Sequence, residues 1–288
     1  MAVGAFTATA AVVFGGSSEL THRQQKNCHT QRVMKLKFRS LLPTQRELYS
    51  LPRGRERFQA YLDAMIDPQT KDIRLPLQAM NPMGKDHIPV LLDELLRLDA
   101  DGCSAQAVAK AELDLADVPG EFNVALVMSD DEKGGWTNRY AAEFSLRFES
   151  GPILKRGWLI GLLWTSESVS KLSAQEAALT AVYRAAHSHR HGQPQTLQQM
   201  LAQEGYAMAM AGCISPRLAA DDISYTREVI SSHLAAQDRP TIMACLFGDL
   251  AATSLGYEPK GLSAFAGLAF ALHEARNSSS KIGAAKIQ

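Results

Sequence analysis

Phe122-Asn123-Val124-Ala125-Leu126-Val127-Met128 is the stretch on which the fold turns. Five apolar residues run without a break from Val124, behind a turn at Pro119 and Gly120, and end at a polar loop. A run of that length between turn signals reads as a strand covered on both faces, the pattern of a parallel sheet. Downstream, the loop at 129–138 leads into an amphipathic helix over 139–148. A second unbroken apolar run over 157–164 then closes on Thr165, Ser166 and Glu167. Upstream, a helix from Arg55 stops before Pro68, and the apolar run 74–80 reads as a strand entering a loop at Asn81 and Pro82. Helices over 89–98 and 104–117 follow, the second with Ser104 as its expected N-cap.

Strands alternating with helices specify an α/β fold, a mostly parallel sheet flanked by helices, and here the C-terminal part is largely helical. Helices are expected over 174–187, 196–205, 221–237 and 262–276. The short run 241–247 fits either a third core strand or a buried helix, since periodicity does not separate the two at that length. The expected organisation is an α/β core over 34–192, a mainly helical part over 193–276 packed on it, and a flexible tail over 277–288. Residues 1–33 hold nothing periodic to bury and read as a disordered or targeting extension. They are acid-poor and hydroxyl-rich, which suits organellar targeting, but lack a basic stretch ahead of the apolar part. Met34 opens the first foldable stretch, so Met1 and Met34 both stand as candidate starts.

Thirty basic and thirty acidic side chains, with 46% hydrophobic residues, describe a soluble chain with material for a sizeable core. That balance excludes collagen, coiled coil and wholly disordered protein, and it exerts no global pull on nucleic acid. No apolar run is long enough to span a membrane. Cys28, Cys103, Cys213 and Cys245 form no C-x-x-C pair, which points to reduced thiols and so to the cytoplasm or another reducing compartment. Basic residues crowd 32–57 and acidic ones 99–149. The two regions are expected to pair within one chain or across a homo-oligomer rather than to bind nucleic acid.

In a parallel sheet every strand-to-helix loop leaves from one edge, where ligands of such sheets bind. Three loops are therefore candidates. Residues 81–87 offer Lys85 ahead of a helix as an anion contact and His87 as an acid or base. Residues 129–139 gather Asp130 and Asp131, as metal ligand or general base, with Trp136 as an apolar wall and Asn138 and Arg139 as substrate contacts. The exit at 165–167 adds Ser166. The fourth candidate, 248–253 with Asp249, depends on 241–247 being a strand. Apart from these, His187-Ser188-His189-Arg190-His191 puts His187 and His191 one helical turn apart, a spacing that suits a divalent metal.

These residues are expected to form an enzyme acting on a small anionic molecule by hydrolysis or group transfer, with or without a divalent metal. Hydride transfer is disfavoured because no G-x-G-x-x-G follows a strand. The alternative is a non-catalytic oligomeric binding or adaptor protein.

Overall fold

A computed structural model describes residues 33–132 and 138–285, with side chains to residue 278. The run at Val124 forms the middle strand, β2 (Gly120–Ser129), between β1 (Met34–Phe38) and β3 (Trp158–Trp164). Both pairings are parallel, with Phe38 opposite Val124 and Val124 opposite Leu159. Val124 through Met128 are buried, as a strand with neighbours on both sides requires. The fold is thus α/β with a parallel sheet, and among the described residues twelve helices accompany the three strands.

β1 lay inside the segment read only for its positive charge. Its alternation is plain once the partner is known: Met34 is buried and Leu36 and Phe38 are partly covered, while Lys35 and Lys37 face water. The strand expected over 74–80 does not form. Leu77 and Met80 are buried, but Pro76 has no N–H to give a ladder, and the backbone turns on itself instead. Leu77 N–H donates to Leu75 and Met80 N–H to Leu77. Within 66–80 the only strand-like contact is a single antiparallel bridge between Ile66 and Ile73.

Helix α1 (Leu42–Ser50), unanticipated in the sequence, packs on β2 and on α3 (His87–Arg97). It carries Gln45, which solves a problem at the sheet's edge. β1 stops opposite Val124, which would leave the next groups of β2 unpaired. The buried Gln45 amide donates to Leu126 C=O at 3.2 Å and accepts from Met128 N–H at 2.9 Å. One side chain thus stands in for a missing stretch of strand. After α2 (Arg55–Met65) and α3 comes α4 (Ala100–Asp114), which begins earlier than expected. Ser104 is therefore not its cap but lies buried inside it.

Helix α5 (Arg139–Phe148) and the short α6 (Gly151–Lys155) connect β2 to β3. Helix α7 (Lys171–His191) starts at a Ser170–Ser173 capping box and packs on β3, β2 and α4. Its axis carries the chain about 30 Å from its first residue to its last. The remaining helices are α8 (Leu197–Met210), α9 (Ala220–Ser231), α10 (Arg239–Phe247), α11 (Asp249–Ser254) and α12 (Ala266–Ala285). The undecided run 241–247 is helical: the Asp238 carboxylate caps Thr241 N–H, Pro240 sits in the first turn, and every residue from Ile242 to Phe247 is buried. α12 continues past Arg276, where the sequence reading ended it. Around the sheet, α1, α3, α4 and α7 enclose one apolar cluster. A second gathers side chains of α5, α8, α10 and α12, and both lie in one compact unit.

Candidate functional site

β2 and β3 run parallel, so Asp130 and Thr165, the residues just past their ends, meet at one edge of the sheet. The 81–87 loop reaches the same edge although no strand precedes it: Ser129 Oγ donates to Ala79 C=O at 2.7 Å, and Asn81 Nδ2 to Asp130 Oδ2 at 3.3 Å. Three loops expected to converge therefore do so. The fourth does not belong, because α10 is a helix. Asp249 instead holds a turn, accepting the backbone N–H groups of Lys260, Gly261 and Leu262.

Asp130 is the centre of the cluster. Its side chain is completely buried, and Oδ1 lies 2.9 Å from His87 Nε2 and 3.1 Å from the Thr165 hydroxyl, with Glu132 N–H at 3.3 Å. An ionised carboxylate only accepts, so His87 must carry its proton on Nε2 to bond it. In the neutral ring Nδ1 then presents a lone pair. That atom is buried and has no hydrogen-bond partner among the described residues. Behind the pair, Asn81 C=O accepts from the Tyr49 hydroxyl at 2.6 Å, and burial, reinforced by the Asp130 charge, pushes the Tyr49 phenol well above its ordinary range. Tyr49 is therefore a fixed donor that locks Asn81.

Asp131 faces the other way. It accepts Ser166 N–H at 3.0 Å, Ser166 Oγ at 2.7 Å and Arg139 Nη1 at 3.2 Å. The Thr165 hydroxyl lies within reach of both aspartates, and its single proton serves one of them at a time. Arg139 is bound further to Glu143 at 3.0 Å and to Glu167, and it lies over the Trp164 and Phe265 rings. Burial opposes its charge, but Glu143 and Glu167 more than reverse that and raise its pKa. Arg139 is thus committed to three carboxylates and organises the loops.

The other expected contacts fall differently. Asn138 caps α5 through Ala141 N–H and reaches Ser254. Lys85 is exposed two residues before His87, with no ion-pair partner among the described residues. Trp136 lies outside the described residues, as do Cys28 and the extension expected over residues 1–32. The His187 and His191 rings lie 4.5 Å apart, tilted by 41°, at the far end of α7, about 24–30 Å along that helix from its start near the strand ends. Among the described residues no three His, Cys, Asp or Glu side chains are gathered as a metal site.

Sequence reasoning passed over Asn81 and Thr165 as polar site residues. It also missed an ion network that leads inward from Arg139. Glu143 bridges Arg139 and Arg147, and Arg147 reaches Glu204, which Arg184 also holds at 2.6 Å. The signal was there in α5, where Arg139, Glu143 and Arg147 recur every four residues. Compared with family models, curated proteins and solved structures, the chain matches none.

Proposed function

We propose that this chain is an enzyme that performs hydrolysis or group transfer on a small anionic molecule, with His87 as general base. The observation that carries the reading is the His87–Asp130 pair. A buried carboxylate bonded to Nε2 fixes the tautomer and leaves Nδ1, which has no partner among the described residues, to take a proton from a substrate hydroxyl. Asp130 also stabilises the imidazolium that forms, and Asn81 and Thr165 keep Asp130 in place. Lys85, which has no carboxylate partner among the described residues and lies beside the first turn of α3, is the anion contact. Arg139 and Asp131 act as positioning residues for the loops.

The experiment is a turnover screen of chromogenic phosphate, carboxylate and sulfate esters with the wild-type chain, His87→Gln and Asp130→Asn. The expected result is a rate that falls about 10²–10⁴-fold in His87→Gln. Asp130→Asn loses rate with little change in KM, and Lys85→Ala raises KM more than it lowers kcat. Turnover that persists in His87→Gln overturns the assignment. A discrete, inert oligomer favours the alternative, a non-catalytic oligomeric binding or adaptor protein.

A further inference from the structure

β3 is the last strand of the sheet, and its register decides which of its backbone groups are left over. Asn123 N–H donates to Gly157 C=O, and Thr165 N–H to Ser129 C=O. In a parallel ladder this assigns the odd-numbered residues of β3 to β2 and turns the N–H and C=O of Ile160 and Leu162 outward. Ile160 is buried and Leu162 half-buried, yet these outward groups have no partner among the described residues. At the opposite edge of the sheet the same need is met by Gln45. Buried backbone groups are nearly always paired, so the outward N–H and C=O of Ile160 call for a partner.

A cavity of about 370 Å³ lies there. Residues 160–164 line it without a gap, odd and even alike, as happens when a cavity runs beside a strand rather than above or below it. α5 and α7 flank it, and Met208, Cys213, Ser215, Pro216, Phe265 and Leu268 also line it. Three arginines border it, Arg139, Arg147 and Arg184, each already paired to carboxylate. Glu176 differs. It lines the cavity, its Oε1 accepts Ile214 N–H at 3.0 Å, and no cation pairs with it among the described residues.

We propose that this cavity binds a short, extended peptide with a positively charged group, a free molecule of about three residues that adds a strand to β3. Two outward-facing residues lie about 6.6 Å apart along a strand, so three residues suffice to pair with both. Main-chain hydrogen bonds to Ile160 and Leu162 supply the pairing, and Glu176 takes the ammonium. Neither His87 nor Asp130 lines the cavity, although Arg139 borders both places, and the proposal stands whether or not that pair is catalytic.

The test is a titration of ¹⁵N-labelled full-length chain with Val-Lys-Val amide, followed by amide shifts and hydrogen exchange. The expected result is a saturable downfield shift and slowed exchange at Ile160 and Leu162. Backbone N-methylation of the peptide abolishes both, and Glu176→Gln weakens binding at least about tenfold, the loss for a hydrogen bond to a charged group. Glu176→Gln keeps an oxygen for Ile214 N–H, so the fold is retained. Absence of shifts at Ile160 and Leu162 at millimolar peptide overturns the proposal. So does equal binding of the N-methylated peptide or of acetyl-Val-Glu-Val amide.

Discussion

Glu204 offers the sharpest test of the interior. Its side chain on α8 is fully buried between two guanidiniums, Arg184 at 2.6 and 3.1 Å and Arg147 on the other side. Burial alone would raise its pKa, but Arg184 and Arg147 reverse the direction and hold it down at about 2, against 4.5 for a free carboxyl. At 1.36 kcal/mol per unit, that difference corresponds to about 3 kcal/mol of stability. Because the folded pKa is the lower one, this stability is fully present above the unfolded value and is lost as pH falls from about 4.5 toward 2. Glu204→Gln removes the charge and leaves Arg184 buried without its partner, at an expected cost of about 3–5 kcal/mol. Urea unfolding of wild type and variant at pH 7 reads that cost directly. The gap between them should narrow by about 2 kcal/mol between pH 5 and pH 3, since wild type gives up this contribution over that range. A cost below about 1 kcal/mol at pH 7, or a gap that does not change with pH, refutes the reasoning.

Gln45→Leu should destabilise the chain by about 3 kcal/mol in the same assay, because Leu126 C=O and Met128 N–H lose their partner inside the core. Burial pushes the Cys213 thiol up to about 12, with Glu176 adding to it, and the Cys245 thiol up to about 11. A thiol-specific disulfide reagent at pH 8 should therefore label neither until the chain unfolds, and rapid labelling of either in the native state contradicts this. In Gly267→Ala the new methyl would sit 2.2 Å from Cys245 C=O and 2.8 Å from Leu246 Cα, both backbone. The variant should lose at least about 1–3 kcal/mol, measured by thermal unfolding.

The elements that sequence reasoning placed well carry their own signal. β2 and β3 are unbroken apolar runs, and α5 begins at Arg139 as its pattern and the Asn138 cap require. β1 alternates clearly, but five residues with two lysines read as charge until the partner strand is in view. The run 74–80 is as apolar as a strand. Burial there comes from tertiary packing, while Pro76 and local hydrogen bonds settle the backbone. For the site, the edge rule of parallel sheets was enough to bring Asp130, Asp131, His87, Ser166 and Arg139 into one cluster. The rule does not say what each side chain does on arrival. Arg139 looks like a ligand contact in the sequence because Asp131 and Glu167 reach it only through the fold. Asn81 and Thr165, which hold Asp130, matter through contacts 49 and 35 residues away in the chain.

The proposed role of His87 requires that Asp130 hold the ring with its proton on Nε2 and a bare Nδ1. Long-range ¹H–¹⁵N correlation of the His87 ring at neutral pH tests it directly, with Asp130→Asn as the comparison. A protonated Nε2 and an unprotonated Nδ1 are expected in the wild-type chain, with that preference lost in Asp130→Asn. A proton resident on Nδ1, or a tautomer indifferent to Asp130, would contradict it.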